Sequence, residues 1–376
     1  MRVHRWPRRF TDWMVRRTSK QIERQQDSTP GRSMSRPDNT ERINAIDGEP
    51  MSGIKRGVSL YSYQEEYFLR KLSLEQCVAV SASMGANGIE TLAEQMMPGY
   101  PKLSDGFYEQ WHEWMRIYGA TPTCHDAFLD TKRYKDRVLT LDEQVVEVTR
   151  DIKHAVRLGA KIIRMLVLCS PELMERCAPI AADHGIWLGV EVHSPWSIGH
   201  EWIQRHLEVA YRMGTDKLGL IPDMGIFVER FPRVIYERYL RNGAHEKLVR
   251  MIVERYDRHE DVHGLMEEVE KLGGNAEDMG LARTVGHFVS DDPKKLAQVI
   301  GAVRHIHGKF YEMTEDDSEY SIPYPAIVST LAGAGYDGYI SSEYEGNRHL
   351  QDAFPVDSVE QVRRHQQMLT KLIAEN

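Results

Sequence analysis

The first indication of architecture in this chain is Gly189-Val190-Glu191-Val192-His193, a short β-rich run with two ionisable side chains near its end. Three later runs also place a carboxylate or an imidazole at the end of an apolar stretch: Ile221-Pro222-Asp223-Met224-Gly225, His305-Ile306-His307-Gly308-Lys309 and Ser341-Ser342-Glu343-Tyr344-Glu345. Short apolar runs of this kind predict buried strands. Because the carboxyl ends of parallel strands meet at one face of an α/β barrel, we expect the carboxylates and imidazoles of the four runs to lie together.

Outward from these runs, β-rich segments alternate with amphipathic segments from residue 53 onward, which is the order expected for repeated βα units. Eight strands are predicted, at residues 56–62, 88–92, 120–128, 161–168, 187–193, 217–222, 304–310 and 338–343. Helices are predicted at residues 73–84, 104–118, 141–158, 171–184 and 202–213, three of which are followed by a glycine suited to a helix end. The predicted fold class is α/β, a (β/α)₈ TIM barrel with its functional residues at the C-terminal ends of the strands.

A long segment interrupts this pattern between the sixth and seventh strands, at about residues 226–303. It is highly charged and contains helical stretches at residues 248–256 and 264–272. Its length is far beyond that of an ordinary loop. We therefore predict a helical insertion that shapes a substrate pocket or holds a subunit.

Residues 1–52 differ in composition from the rest of the chain, since clustered arginines are followed by a stretch rich in Ser, Pro, Asp and Asn. This composition predicts a disordered basic N-terminal extension. The chain is accordingly divided into residues 1–52 and a barrel at residues 53–376. Three interpretations of the extension stay open: a start upstream of a working initiator at Met51, a basic arm that contacts an acidic partner, and a targeting segment.

The bulk composition favours small-molecule chemistry. The chain has 376 residues, 41% of them hydrophobic, and a net charge of −8, which disfavours nucleic-acid binding. Four cysteines without CxxC spacing support neither a zinc ribbon nor a disulfide framework, and they fit a reducing cytoplasm. No apolar run approaches the roughly 18 residues of a membrane helix. The sequence therefore predicts a soluble, cytoplasmic protein without nucleic-acid or membrane partners.

The four runs supply a donor set of three carboxylates and one imidazole, namely Glu191, Asp223, His307 and Glu343. Such a set suits Mn²⁺, Mg²⁺ or Co²⁺ better than a thiolate-preferring ion. Four protein ligands leave two positions of an octahedron open, which adjacent oxygens of a sugar would fill. A metal-bound ketone acidifies the hydrogen on the neighbouring carbon, because the ion stabilises the enediolate charge that develops.

Histidines near these strand ends are candidates for acid/base work. His193 follows Glu191 by two residues, so both side chains should point to the same side of the strand; it is either a base or a brace for a ligand. His125 ends the third strand and is expected to face the same cavity or to be a polar core residue. His305 is expected one layer below His307 as a buried hydrogen-bonding residue. Pocket-lining positions are predicted for Glu90, Lys309 and Tyr61.

On these residues, the chain resembles the xylose-isomerase-like barrel superfamily of sugar isomerases and epimerases, from residue 53 to about residue 373. The resemblance is carried by the order of the four donor residues, by Gly88-Ile89-Glu90 in the second strand and by His307-Gly308-Lys309 in the seventh. Three further segments resemble the large (α) subunit of bacterial C-glycoside deglycosidases: residues 57–66, Gln110-Trp111-His112-Glu113-Trp114 and residues 221–227.

This narrower resemblance implies a carbon–carbon lyase. Its substrate would be a 3-oxo C-glucoside of a flavonoid or similar aromatic, supplied by a separate oxidoreductase, and a small β subunit would complete a hetero-oligomer. Glu191, Asp223, His307 and Glu343 would bind one divalent ion, typically Mn²⁺, and Glu191 and Glu343 would also move protons. His193 or Glu343 would remove the C2 proton. His125 would handle the phenol or the proton that is delivered to the departing ring carbon.

Other functions remain possible on the same barrel. A divalent-metal-dependent ketose 3-epimerase or sugar isomerase would use the same enediolate without breaking a carbon–carbon bond. A metal-dependent endonuclease is disfavoured, because it needs a multi-metal cluster and a basic groove. A barrel that has lost catalysis and serves as a scaffold is disfavoured by the intact set of four ligands.

Overall fold

The computed structural model describes residues 53–376, so the predictions for residues 1–52 lie outside the described residues. Eight parallel strands are arranged side by side within the described chain: β1 (Lys55–Ser59), β2 (Gly88–Thr91), β3 (Thr121–Ala127), β4 (Ile162–Met165), β5 (Trp187–Val192), β6 (Leu218–Pro222), β7 (His305–Phe310) and β8 (Tyr339–Tyr344). All eight predicted strands are present, although some end a few residues earlier or later than expected.

The sheet order is β6-β5-β4-β3-β2-β1-β8-β7, and every neighbouring pair is parallel. The outer strands β6 and β7 meet through two isolated bridges, Leu220 with Val303 and Asp223 with His307. The sheet is thus a nearly closed (β/α)₈ barrel, and the predicted fold class is confirmed.

Helices follow each strand. They are α1 (Gln64–Phe68), α2 (Leu74–Ser83), α3 (Ala93–Met96), α4 (Asp105–Tyr118), α5 (Leu141–Leu158), α6 (Pro171–Asp183), α7 (Glu201–Met213), α8 (Arg233–Arg241), α9 (Glu246–Asp257), α10 (Leu265–Lys271), α11 (Ala276–Val285), α12 (Lys295–Val299), α13 (Tyr324–Gly333) and α14 (Ser358–Ala374). None of the helices described for residues 53–376 combines the length and the apolar composition that crossing a bilayer requires.

Local sequence signals explain where the barrel helices begin and end. Helix α5 starts with a capping box, in which the Glu143 N–H donates to the Thr140 hydroxyl and the Thr140 N–H donates to the Glu143 carboxylate. It ends at Gly159, whose φ of 85° is a left-handed conformation that glycine adopts without strain. One stripe of this helix is buried against the barrel, including Val148, Ile152 and Ala155.

The inside of the barrel is filled below the strand ends by a small apolar cluster of Cys124, Trp187 and Ile221. Gly189 makes room for this cluster, because a Cβ atom there would lie 2.5 Å from both Trp187 Cζ3 and Ile221 Cγ1. Along each strand, alternate residues continue from this cluster toward the strand end. Asp126 and Asp223, two residues further on from Cys124 and Ile221, therefore follow apolar side chains on the inner face of their strands.

The predicted insertion between β6 and β7 contains helices α8 to α12. The two predicted helical stretches correspond to α9 and α10, and α8, α11 and α12 are additional. Phe231 packs against the rings of Tyr256 and Phe288, with centroids 5.5 and 5.0 Å away. Helix α8 also contacts the segment after β8, since Arg241 donates to the carbonyl of His349 at 2.6 Å. The insertion therefore borders the end of the barrel where the predicted site lies.

Candidate metal centre

The structure brings the four predicted donor residues together. Ligand atoms of Glu191, Asp223, His307 and Glu343 all lie within 4.8 Å of one another, and all four side chains are buried. Glu191, His307 and Glu343 come from β5, β7 and β8, and Asp223 directly follows β6. Parallel strands in a barrel end at the same face, which explains why residues far apart in sequence converge here.

The contacts within this cluster are short. His307 Nδ1 lies 2.9 Å from Glu191 Oε1 and 3.6 Å from Glu343 Oε2. Asp223 Oδ1 accepts a hydrogen bond of 2.6 Å from the Gly225 N–H. The ammonium of Lys309 lies 2.8 Å from Asp223 Oδ2 and 3.8 Å from Glu343 Oε2. Carboxylate oxygens therefore face one another across a space that an imidazole and one ammonium border.

Burial has the largest effect on the pKa of Glu343 in this space. Burial raises the pKa of its carboxyl to about 8. Lys309 and His307 lower this pKa, but their effect does not cancel that of burial. The neighbouring carboxylates of Asp223 and Glu191 raise it further. Glu343 Oε2 is also buried without a hydrogen-bond partner among the described residues.

The pKa values of Glu191 and His307 are both shifted in the direction that favours the charged form. Burial would raise the pKa of Glu191, but Arg164 and His307 outweigh burial and lower it. Burial would lower the pKa of His307, but the carboxylates of Glu90 and Glu343 outweigh burial and raise it. A divalent cation fits this set, because three hard oxygen donors and one imidazole suit Mn²⁺, Mg²⁺ or Co²⁺ and a cation supplies the missing charge.

A charged layer lies directly beneath the four donors. Glu90 on β2 faces both His305 and His307, with oxygen to nitrogen distances of 2.6 and 2.8 Å. Asp126 and Arg164 form a buried ion pair at 3.0 Å, and Arg164 reaches to 4.0 Å from Glu191. Burial raises the pKa of Asp126 to about 8 despite this pair.

Sequence reasoning missed Asp126 and Arg164. A signal for them existed, because each is an ionisable residue near the end of a predicted strand, as the four donors are. This signal was weaker for Arg164 than for the four donors, because the residues on either side of Arg164 are apolar and the pattern predicts a continuously buried strand. The expectation that His305 is a buried hydrogen-bonding residue agrees with its contact to Glu90.

A third layer lies above the donors at the barrel mouth. His193 follows Glu191 there, and Lys309 follows His307 by the same two-residue step. Glu345 accepts a hydrogen bond of 3.2 Å from the Tyr61 hydroxyl and lies 2.8 Å from Lys309 Nζ. Burial would raise the pKa of Glu345, but Lys309 and His193 outweigh burial and lower it to about 2. Glu345 is therefore a charged acceptor beside the space above the four candidate donors.

His193 has one ring nitrogen available for proton transfer. Its Nδ1 lies 2.6 Å from the carbonyl oxygen of Ser194, so Nδ1 carries the hydrogen and donates it. In the neutral ring Nε2 presents a lone pair, and the side-chain hydrogen bond described for this ring is the one at Nδ1. The ring is partly exposed and close enough to Glu191 and Glu345 to influence both carboxylates.

His125 does not join these residues, so the expectation that it faces the barrel cavity is wrong. Its neighbours Cys124 and Asp126 belong to the inward set with Glu90, and the side chain between them must point the other way. Its Nδ1 lies 3.3 Å from the hydroxyl of Thr91, and its ring centroid is 6.2 Å from that of Tyr100. Burial lowers its pKa to about 3, as expected for a neutral imidazole packed under the helices.

Two surface cavities lie elsewhere. One of about 640 Å³ is bordered by residues 316–325 and α14, and one of about 650 Å³ by α9 and the end of α10. None of the four donors lines either cavity. We assign the candidate site to the barrel mouth because the donor atoms converge there.

Fold and site together define a (β/α)₈ barrel protein with a candidate centre for one divalent ion at its strand ends. The chain belongs to the xylose isomerase-like TIM barrel family, whose family model matches residues 78–372.

Two relatives give a closer context. The 3'-dehydrocarminate deglycosidase alpha subunit of a Microbacterium species is 31% identical over 309 residues, covering 77% of this chain and 88% of the relative. A C-glycoside deglycosidase alpha subunit of Arthrobacter globiformis is 30% identical over 329 residues, covering 81% of this chain and 88% of the relative. The chain is thus related to deglycosidase alpha subunits over most of their length.

Solved structures share the fold. A D-psicose 3-epimerase crystallised with D-fructose superimposes with a TM-score of 0.52 at 11% identity, covering 86% of this chain and 100% of that one. An L-ribulose 3-epimerase gives 0.51 at 14% identity, covering 86% and 95%. At these identities the likeness concerns the barrel alone.

Proposed function

We propose that this protein is the α subunit of a metal-dependent C-glycoside deglycosidase, a carbon–carbon lyase acting on 3-oxo C-glucosides. The observation that carries this is the convergence of Glu191, Asp223, His307 and Glu343 within 4.8 Å in a chain related to such subunits. The name of one relative, 3'-dehydrocarminate deglycosidase, describes an oxidised substrate of the same class.

The four donors would hold Mn²⁺ or another divalent cation such as Mg²⁺ or Co²⁺. Such an ion, when bound, polarises a ketone and stabilises negative charge that develops beside it. The residues of the mouth layer face the sugar from above. Glu345 offers a charged acceptor for sugar hydroxyls, and Lys309 offers a fixed positive charge.

Proton transfer is assigned to His193, whose Nε2 is an acceptor at the mouth. Glu343 is the second candidate for the base, and Glu191 acts with it in holding the ion. With a ketone at C3 of the sugar, the hydrogen on C2 is acidic and the aryl group on C1 is β to the carbonyl. His193 Nε2 would remove the C2 proton, and the electron pair of the broken C2–H bond would then form the C2–C3 double bond of the enediolate as the carbonyl pair moves to oxygen.

Elimination then balances without water. The enediolate collapses, the C1–C2 double bond forms, and the bond from C1 to the aromatic carbon breaks. The departing ring carbon needs one proton, which the His193 imidazolium returns. Because His125 faces away from the cavity, it is not assigned this step.

A partner subunit is part of this proposal, because the related chains are named alpha subunits. We propose a small β subunit in a hetero-oligomer, with the helical insertion as the element that borders it or the aglycone. A cytoplasmic location and the absence of nucleic-acid binding stay predictions from composition.

The direct test combines the purified chain, its companion subunit, Mn²⁺ and a 3-oxo C-glucoside, with free aglycone measured by chromatography. His193→Gln should lower the rate by at least about 100-fold, the range of a lost general base. His184→Gln is the matched control, because His184 is exposed and precedes β5, at the opposite end of the barrel. Unchanged substrate at high enzyme concentration would reject the proposal.

A divalent-metal-dependent ketose 3-epimerase or sugar isomerase is the alternative. The observation that favours it is that His193 beside the donor cluster needs no departing group and no partner to exchange a proton next to a ketone. Turnover of simple ketoses by the chain alone, with no aglycone release in the complete mixture, would establish the alternative.

A further inference from the structure

Glu90 links two histidines at the bottom of the candidate centre. Its Oε2 lies 2.6 Å from His305 Nε2, and its Oε1 lies 2.8 Å from His307 Nε2. All three side chains have no solvent exposure. The rings of the two histidines are nearly perpendicular, at 89°, with centroids 5.9 Å apart. The carboxylate of Glu90 contacts one nitrogen of each ring.

The two nitrogens of His307 face different surroundings. Nδ1 is directed at the donor cluster, 2.9 Å from Glu191 Oε1, whereas Nε2 is directed at Glu90. A metal ion binds the nitrogen that carries a lone pair, and in a neutral imidazole the other nitrogen then carries the hydrogen. If Nδ1 binds the ion, Nε2–H must find an acceptor, and Glu90 Oε1 is at the correct distance.

The contact between these two atoms does not have hydrogen-bond geometry in the structure, and both atoms are buried without a hydrogen-bond partner among residues 53–376. The carboxyl of Asp126 also lies beside Glu90. His307 Nε2 and Glu90 Oε1 nevertheless face each other at 2.8 Å. A hydrogen bond between them would satisfy two buried polar atoms at once.

We propose that Glu90 is the positioning residue of the metal centre, with the premise from the proposed function that His307 binds the ion. Glu90 accepts the Nε2–H of His307 and thereby directs Nδ1 of that ring at the ion. His305 holds the second oxygen of Glu90 and so fixes the carboxylate. Carboxylates that orient a ligating histidine in this way contribute about 10- to 100-fold to metal affinity.

A second ion between Glu90, His305 and His307 is the competing interpretation, because their donor atoms also lie within 4.8 Å of one another. The shared ring opposes it. His307 belongs to both donor sets, and it could bind one ion through Nδ1 and another through Nε2 only after losing both ring hydrogens. One ion per chain is therefore expected.

The test measures Mn²⁺ binding to the full chain by titration calorimetry. Glu90→Ala should weaken binding about 10- to 100-fold, and Glu90→Gln should weaken it less, because the amide keeps the shape but loses the charge. His305→Gln should also weaken binding. Thr91→Val is the matched control, because Thr91 is the next residue on β2, equally buried, with its hydroxyl directed at His125.

Spectroscopy separates positioning from general destabilisation. In Co²⁺-loaded protein, the hyperfine-shifted ring N–H of His307 should exchange slowly with solvent in the wild type and rapidly in Glu90→Gln, whose circular dichroism should match the wild type. Unchanged Mn²⁺ affinity in both Glu90 variants would overturn the proposal, as would two ions per wild-type chain. Absence of aglycone release alongside these binding results would reject only the deglycosidase activity.

Discussion

Glu343 is a buried donor with one carboxylate oxygen that has no hydrogen-bond partner among the described residues. A buried carboxylate without enough compensating charge keeps its proton, which is the reason for its pKa of about 8. A divalent ion would allow it to ionise in place. The same carboxylate is thus a poor ion-pair partner without the metal and a good ligand with it.

Replacing this ligand should remove metal binding. Glu343→Gln is expected to weaken Mn²⁺ binding by at least about 100-fold, since an amide oxygen carries no charge to neutralise the ion. Titration calorimetry and metal analysis of the purified variant measure this. Glu66→Gln is the control, because Glu66 is a buried glutamate whose Oε1 accepts from the Ser358 N–H, away from the cluster. Equal metal content in the two variants would contradict the assignment.

Metal affinity should rise with pH. The folded pKa of Glu343 lies above its ordinary value of 4.5, so the folded, metal-free chain retains a proton that the unfolded chain has lost. The contribution of Glu343 to the unfolding free energy is therefore fully present below about pH 4.5 and is lost as the pH rises through about 8. Because an ion displaces this proton and the one that the raised pKa of His307 retains, its affinity should increase up to about tenfold per pH unit for each proton displaced between pH 6 and 8.

Calorimetry checks the pH prediction directly. Titrations of Mn²⁺ at pH 7, in two buffers of different ionisation enthalpy, should show net proton release on binding. Equal heats in both buffers would mean that no proton leaves, and the raised pKa of Glu343 would then play no part in metal binding.

The four donors could be predicted from the sequence because each follows a run that reads as a strand. His125 could not be oriented, since residues 121–127 place polar side chains on both faces of β3. The strand pairing adds a further obstacle, a register shift between Ile89 and Glu90 that no local pattern signals. Tertiary contacts with Thr91 and Tyr100 decide which face His125 occupies.

Strands and barrel helices were predictable because their signals are local: apolar runs, N-terminal caps and glycines at helix ends. The insertion was predicted only in part. Helix α8 packs across the barrel end and reaches the segment after β8 through Arg238 and Arg241. Its position depends on contacts more than 100 residues away in sequence, which periodicity does not contain.

Close packing between β6 and the segment before β7 makes a sharp prediction. A Cβ at Gly219 would lie 2.1 Å from the carbonyl oxygen of Ala302 and 2.8 Å from Trp187 Cζ2. Gly219→Ala should therefore separate these segments and cost about 1–3 kcal/mol of unfolding free energy. Urea denaturation measures the cost.

The control for this change is Gly106→Ala on α4, where a Cβ meets nothing within 4 Å. It should leave stability unchanged or raise it by up to about 1 kcal/mol, because alanine favours a helix. Equal effects of the two substitutions would show that the contact between Gly219 and Ala302 does not constrain the barrel.

For the whole chain, a bound ion should stabilise the fold by mass action. At 100 times its dissociation constant, Mn²⁺ should add about 2.7 kcal/mol to the unfolding free energy, which corresponds to a few degrees in Tm. Thermal unfolding with Mn²⁺ and with a chelator measures the difference. Glu343→Gln should remove this difference in Tm. An equal Tm of the wild type with Mn²⁺ and with the chelator would argue against metal binding by the folded chain.

Between β6 and β7, the described barrel is closed by two isolated bridges instead of a continuous ladder. One of these bridges joins Asp223 to His307, so an ion held by both side chains would cross-link the two strand ends. Without that cross-link, the joint is the natural place for the barrel to open and for proteases to enter. The supply of metal in the cell would then set the lifetime of the protein as well as its rate of turnover.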